Sequence, residues 1–254
     1  PEEKEFVTHE MDILSKGDEP AEILIRHVVT LMLFLRAYEI PVTVDLEDVP
    51  SWFQPQYFRF LMEVPLGVLK TGEADAYYGH IKEMIYTLAE RLRMKPDSQL
   101  WMNAAVWFVQ HSLLSPLYLI RQSLKELYVC RGDICHQVFA LVGYDLEYHF
   151  PVRSENRQKI RFGAYLTNLK SITEMRATLP VFEFLDRDHF EIFLYVSERG
   201  GGVQEKYCQG LVDRLVVLPK DQKEWGRTIR ADDLDILLLG NNSTAGLNSA
   251  AILG

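Results

Sequence analysis

A change of pattern after residue 159 constrains the fold more than any other feature of this sequence. Short apolar segments alternate with helix-like segments from there on, and no strand-like alternation appears earlier. The predicted strands are Ile160–Leu166, Phe190–Val196, Arg214–Leu218 and Leu234–Leu239, and the predicted helices are Thr173–Leu185, Val203–Gly210 and Asp221–Ile229. Strands that are apolar throughout and separated by helices are typical of a parallel sheet covered on both faces. We therefore predict an α/β domain at residues 153–254.

Residues 1–152 have the pattern of an all-helical bundle. The predicted helices are Glu2–Ser15, a helix from Pro20 to about Glu39, Gln56–Leu69, Glu73–Met94, Asp97–Leu114, Ser115–Val129 and Asp133–Val142. Apolar residues surround most of the second helix, which predicts that it is central and buried. The three prolines of residues 41–55, at positions 41, 50 and 55, predict an ordered loop. The aromatic residues around Trp52 are expected to lie in the core or on an interdomain face.

The charge divides at the same place as the pattern. The formal net charge is −9, and 22 of the 36 acidic residues but only 13 of the 27 basic residues lie before residue 151. An acidic chain with a pI near 5.3 is a poor binder of nucleic-acid phosphates. We expect the acidic helical domain to offer a docking surface for a protein partner, such as a basic one.

Composition also bounds the compartment. The longest apolar-rich run, Val28–Leu35, is much shorter than the roughly 20 residues that span a membrane. The three cysteines form neither a CxxC pair nor an even disulfide set. We expect a cytoplasmic protein without a membrane span, and we interpret the chain as part of a longer protein.

Chemistry in parallel α/β sheets gathers in the loops at the carboxyl ends of the strands. The loop after the first strand runs from Thr167 to Thr173 and Glu174, and it lacks the GxGxxG and Walker patterns that cradle phosphates. After the last strand, Gly240 is followed by a run of short polar side chains that includes Asn241, Asn242 and Thr244. Such groups can hydrogen-bond sugar hydroxyls or a phosphate. The candidate substrate-binding residues are Thr167, Thr173, Glu174, Asn241, Asn242 and Thr244, although a helix N-cap at Thr173 or in the 241–244 run is the alternative.

No histidine has a metal-ligand spacing such as HExxH, so no metal site is predicted. His111 lies near the end of an aromatic-rich helix and is the histidine we add to the candidate substrate-binding residues.

Four stretches of the second half carry a resemblance to a known family: Ile160–Gly163, Glu174–Glu183, Arg187–Ile192 and Ile229–Leu237. They resemble the O-GlcNAc-transferase-like (Spindly-type) glycosyltransferases, which are related to the soluble adhesin N-glycosyltransferases. The resemblance covers about two-fifths of the chain. It implies a GT-B fold, in which two Rossmann-like halves face a cleft, and it makes residues 153–254 the N-terminal half.

The resemblance implies inverting transfer of a sugar from a nucleotide donor, probably UDP-linked, to an acceptor protein, without a metal. This chain would supply the acceptor side, and a C-terminal half would bind the UDP-sugar. The O-GlcNAc transferases have a histidine in the loop after the first strand, but residues 169–174 contain none, so no catalytic residue is assigned. We expect little or no transfer by this chain alone. The alternatives are a non-enzymatic interaction module with a degenerate Rossmann-like domain and a small-molecule sensor.

Overall fold

The computed structural model describes residues 2–16, 18–40, 44–65, 67–144, 149, 151–170 and 173–240, with the backbone alone at residues 173 and 174. The chain forms two compact units, Pro1–Val138 and Phe139–Gly254. The described part of the first unit is helical, and the second contains a parallel sheet, so the predicted fold class is confirmed. The predicted division after residue 152 stays a prediction.

Six α-helices precede the first strand within the described residues. They are α1 (Glu2–Lys16), α2 (Ala21–Leu31), α3 (Gln54–Leu61), α4 (Glu73–Met94), α5 (Gln99–His111) and α6 (Lys125–Val142). Short 3-10 turns lie at Ala37–Glu39 and Ser115–Leu119. No helix in the described part of the chain is long and apolar enough to cross a membrane.

The second helix is shorter than predicted. It ends at Leu31, and the backbone N–H of Arg36 then donates to the carboxylate of Glu39 at 2.9 Å. This local bond opens a separate 3-10 turn and competes with continuation of the α-helix. The prediction of a central, buried helix was also wrong, because only Val28 and Leu31 of α2 are buried.

Two other helix predictions need correction. Helix α3 ends at Leu61 and does not reach Leu69, since Val64 precedes Pro65 and a residue before proline disfavours helix. The predicted helices Ser115–Val129 and Asp133–Val142 are instead a 3-10 turn followed by the single helix α6. Gly132 lies inside α6, which shows that a glycine lowers helix propensity without ending the helix.

The long helix α4 contributes most to the core of the first unit. Its buried apolar residues recur three and four positions apart: Tyr77, Ile81, Ile85, Leu88 and Leu92. This spacing gives one apolar stripe along the helix. Of the aromatic residues near Trp52, Tyr57, Phe58 and Phe60 are buried, whereas Trp52 itself is 77% exposed.

The second unit contains a four-stranded parallel sheet. Its strands are β1 (Ile160–Leu166), β2 (Phe190–Val196), β3 (Arg214–Val217) and β4 (Ile236–Leu239), and their spatial order is β3-β2-β1-β4. The helices between them are α7 (Thr173–Phe184), α8 (Gly202–Leu211) and α9 (Lys223–Arg230). The predicted bounds of β1 and β2 are confirmed, and the other predicted bounds lie within two residues of those observed.

Each face of the sheet has its own apolar layer. On one face, Ala164 and Leu194 pack with Met175 and Phe182 of α7 and with Cys208 of α8. On the other face, Tyr165 and Tyr195 pack with Trp225 and Ile229 of α9. Because both faces are covered, every position of the central strands favours an apolar residue. The near-continuous apolar pattern of β1 and β2 follows from this arrangement.

Candidate functional site

The candidate site is the edge of the sheet formed by the carboxyl ends of β1 and β4. From β1 the chain proceeds outward through β2 and β3, and then returns to place β4 on the other side of β1. Sheets of this kind bind ligands in the crevice at such a topological switch point. The two loops singled out in the sequence, after β1 and after β4, both leave the sheet at this point.

Close backbone packing fixes the end of β4 against β1. The N–H of Gly240 donates to the carbonyl of Tyr165 at 2.9 Å. A Cβ added at Gly240 would lie 2.5 Å from Cδ2 of Leu166 and 3.1 Å from the Tyr165 oxygen. An alanine at this position would make the Leu166 side chain shift, so glycine, which has no side chain, suits this close approach.

The connection after β1 is held by bonds to the end of β2. The carbonyl of Thr167 accepts hydrogen bonds from the Ser197 hydroxyl at 2.8 Å and from the Glu198 N–H at 3.2 Å. The side chain of Asn168 donates to Glu198 at 3.3 Å and accepts from the N–H of Lys170 at 3.0 Å. Residues 167–170 therefore have a defined backbone path at the switch point.

The N-terminus of α8 is occupied by a carboxylate of its own chain. Glu205 is 5% exposed, and it accepts hydrogen bonds from the Gly201 N–H at 2.8 Å and from Nε of Arg199 at 2.6 Å. These bonds hold the pKa of the Glu205 carboxyl below its ordinary value, the Gly201 bond contributing most. Gly201 and Gly202 have φ values of 66° and 90°, which explains the glycines here. This helix N-terminus already binds an anionic group.

The predicted site residues have different outcomes. Thr167 is half-buried and directly follows β1, and Thr173 and Glu174 begin α7 at the far end of the same connection. Asn241, Asn242 and Thr244 lie outside the described residues. Their roles as substrate-binding residues stay predictions.

His111 belongs to the first unit. It is the last residue of α5, its ring stacks on Trp107 with centroids 4.5 Å apart, and its Nδ1 lies 2.9 Å from the Trp107 carbonyl oxygen. The side chain is exposed. The two contacts with Trp107 hold the His111 ring against its own helix. A role of His111 in substrate binding stays a prediction.

An unpaired hydroxyl in β1 was not anticipated from the sequence. Tyr165 is fully buried and contacts Trp225, with ring centroids 5.6 Å apart. Its hydroxyl has no hydrogen-bond partner in the described part of the structure. Its register partner Tyr195, by contrast, donates to Asp232 at 2.7 Å. The sequence signal was a tyrosine near the apolar carboxyl end of the strand, since a buried tyrosine hydroxyl usually has a partner.

Charged residues form a network at the opposite, amino-terminal edge of the sheet. Arg157 donates to Asp233 at 2.7 Å and to Asp235 at 2.6 Å, and the backbone N–H of Arg161 donates to Asp235 at 2.8 Å. Nε of Arg161 also donates to Glu191 at 2.9 Å. The aspartates within Ile229–Leu237, one of the stretches that carry the family resemblance, therefore fix the turn before β4 and lie away from the switch point.

Among the described residues, no group of three His, Cys, Asp or Glu side chains is placed to hold a metal ion.

No protein-family model matches the chain. No curated protein matches it. Among solved structures, it is similar to a mutant of the O-GlcNAc transferase of Thermobaculum terrenum, with 16% sequence identity and a TM-score of 0.38. That similarity covers 91% of this chain and 45% of the other, so the chain spans less than half the length of that structure.

Proposed function

We propose that this chain is the acceptor-side part of a glycosyltransferase that transfers a sugar from a nucleotide donor, UDP-linked, to a protein side chain. The observation that carries the proposal is the strand order β3-β2-β1-β4, which puts a switch point between the two loops that the sequence marks as candidate sites. The stretches that resemble O-GlcNAc-transferase-like enzymes lie in the same unit. The proposal places the protein in the cytoplasm.

The geometry of the switch point suits the positioning of an acceptor. Backbone bonds at Gly240 and Thr167 fix the strand ends, and a rigid support keeps a bound group in one orientation, which is a large part of catalysis between two substrates. Helix α7 begins at Thr173, directly after this edge. The partial positive charge of a helix N-terminus stabilises negative charge that develops nearby during transfer.

The donor is assigned to another part of the enzyme. The described residues of the α/β unit present no glycine-rich phosphate loop, and the N-terminus of α8 is filled by Glu205. In the proposed enzyme, the diphosphate of the UDP-sugar binds to a second Rossmann-like half that this chain does not contain. The expected consequence is negligible transfer by residues 1–254 alone.

A matched pair of glycine variants tests the location of the site. In Gly240→Ala, the new Cβ lies 2.5 Å from its nearest neighbour at the switch point, and in Gly163→Ala it lies 2.4 Å from Cδ1 of Leu234 in the middle of β1. Both changes overpack the sheet, which costs about 1–3 kcal/mol. In the complete gene product, we expect Gly240→Ala to reduce sugar transfer to protein at least about tenfold, at a temperature where both variants are folded. Equal sugar-transfer activity in the two variants would show that the switch point takes no part in the reaction.

Exposed apolar side chains on α1 and in the turn after α2 favour a second candidate function, an interaction module. Leu33 is 79% exposed. The rings of Phe6 and Phe34 pack against each other with centroids 5.9 Å apart, and each side chain is still more than 40% exposed. The first turn of α1 also contains three acidic residues. This surface fits a protein partner with basic and apolar groups. A complete gene product that binds a protein through this surface but transfers no sugar would establish the second function in place of the first.

A further inference from the structure

Helices α7 and α8 cover one face of the sheet, and the surface that they turn away from the sheet is rich in apolar side chains. Phe184 of α7 is 81% exposed, and Val203 and Tyr207 of α8 are 86% and 49% exposed. Helix α9, which covers the other face, instead exposes the charged residues Lys223 and Arg227. The outer side of such a helix is normally polar, and exposed apolar patches mark interaction sites. We call the outward surface of α7 and α8 the α7–α8 face, and it has the character of an interface.

The buried and exposed residues of α7 follow the period of a helix. Met175, Thr178 and Phe182 are buried, and Met175 and Phe182 pack with the sheet. The opposite side of the helix therefore points to solvent. Its exposed residues are Arg176, Ala177, Pro180, Glu183 and Phe184.

The solvent-facing side of α7 has one charged edge and one apolar edge. Seven residues make almost two complete turns of an α-helix. Arg176 and Glu183 therefore lie along one edge, and Ala177 and Phe184 lie along the other. Pro180 lies between the two edges, in a helix that continues past it.

Helix α8 extends the face on the charged edge of α7. The Tyr207 hydroxyl donates a hydrogen bond to the Glu183 carboxylate at 2.8 Å, which ties the two helices together. Val203 lies one turn before Tyr207, so both side chains lie on the side of α8 that is next to α7. The α7–α8 face is therefore one surface formed by two helices.

The α7–α8 face is complementary to itself about a two-fold axis that passes next to Pro180. Such an axis places α7 of a second copy antiparallel to α7 of the first and keeps the two charged edges opposite each other. Arg176 lies four residues before Pro180 and Glu183 lies three residues after it, so these charges of the two copies are level to within about 1.5 Å. In the same way, the large Phe184 meets the small Ala177. Charge and size are thus both matched.

We propose that a second copy of this chain binds the α7–α8 face and forms a two-fold symmetric dimer. Arg176 of each copy pairs with Glu183 of the other, and Phe184 of each copy packs over Ala177 of the other. Glu183 can accept this bond as well as the bond from Tyr207, because a carboxylate has about four acceptor positions. A different protein would not need this symmetric arrangement of charge and size.

The size of the face sets the expected strength of the dimer. Helices of 12 and 10 residues are about 18 and 15 Å long, and packed helices lie about 10 Å apart. The face is therefore roughly 18 by 20 Å, which is at the lower end of the sizes of specific interfaces. We expect a Kd of about 10 µM. The dimer does not depend on the proposed transferase activity.

Sedimentation velocity of the 254-residue chain tests the dimer directly. Over a range of about 1–200 µM, the mass should rise from the 29.4 kDa of one chain toward twice that value. Phe184→Glu buries a charge at the interface, so this variant should dimerise at least about tenfold more weakly. Trp52→Glu is the matched control, because Trp52 is a 77% exposed aromatic residue of the first unit, and its Kd should equal that of the wild type.

A charge exchange on α7 tests the geometry of the contact. Arg176→Glu places two carboxylates opposite each other, and Glu183→Arg places two guanidinium groups opposite each other. Each substitution acts at both ends of the two-fold contact, so each single variant should dimerise about tenfold more weakly. The double variant Arg176→Glu/Glu183→Arg recreates both pairs with the charges exchanged, and its Kd should return to within about threefold of the wild-type value.

Three results would overturn the proposal: the mass of one chain at every concentration, equal dimerisation of the Phe184→Glu and Trp52→Glu variants, or a double variant that dimerises no more tightly than the single ones. Circular dichroism of each variant establishes that a lost dimer does not come from unfolding.

Discussion

The unpaired hydroxyl of Tyr165 gives the sharpest prediction about stability. Burial of a hydroxyl without a partner costs about 1–3 kcal/mol, and the Tyr165 side chain is fully buried without one among the described residues. Tyr165→Phe removes the oxygen and keeps the ring against Trp225. The small void left behind offsets part of the gain. We therefore expect this variant to be more stable than the wild type by about 1 kcal/mol, with a Tm about 4 °C higher.

Tyr195→Phe is the matched control. Tyr195 lies opposite Tyr165 in register, belongs to the same apolar layer, and its hydroxyl donates to the Asp232 carboxylate at 2.7 Å. A hydrogen bond to a charged group is worth about 1.5–3 kcal/mol, and Arg214 continues to pair with Asp232 after the substitution. The same loss of one oxygen should destabilise this variant by about 2 kcal/mol.

The assay is urea unfolding followed by circular dichroism, with hydrogen exchange of peptides from β1 and β2 to assign the change to the α/β unit. The two substitutions must shift the free energy of unfolding in opposite directions. A Tyr165→Phe variant that loses more than about 1 kcal/mol would show that the hydroxyl has a partner, and the reasoning about this site would be wrong.

Two further predictions concern groups near the sheet. Because the folded state lowers the pKa of Glu205, its contribution to stability is present above the ordinary glutamate pKa and is lost as the pH falls through the lowered value. Glu205→Gln should therefore flatten the acid limb of a plot of Tm against pH, and an unchanged limb would contradict the capping role. Burial raises the pKa of the Cys208 thiol, and this side chain is fully buried. It should react with a thiol reagent only after unfolding, whereas Cys130, which is partly exposed, should react in the native protein; equal rates would contradict this placement.

The sequence predicted the central strands well and the helix ends less well. Ile160–Leu166 and Phe190–Val196 have the predicted bounds because both faces of these strands are buried, and that burial leaves an unbroken apolar pattern. The separate 3-10 turn after α2 contains a bond between Arg36 and Glu39. Such a local bond alters the balance between helix and turn without changing the apolar periodicity.

The location of the candidate site could be predicted, because the carboxyl ends of parallel strands lie at one edge of the sheet and the loops after β1 and β4 therefore start there. Other features depend on contacts between residues far apart in the sequence. The Arg157–Asp233 pair joins positions 76 apart, and the bond of His80 to Leu61 joins positions 19 apart. No spacing rule anticipates such pairs, so the amino-edge network and the contact between α4 and α3 emerged only from the structure.

The most direct test of the central claim is a transfer assay with the complete gene product. The protein is incubated with UDP-sugars and candidate acceptor proteins, and covalent sugar on acceptor peptides is measured by mass spectrometry. The account predicts glycopeptides with the complete protein and none with residues 1–254 alone. Transfer by residues 1–254 alone would contradict the assignment of the donor site to another half, and no glycopeptide from the complete protein with any UDP-sugar would contradict the proposed function itself.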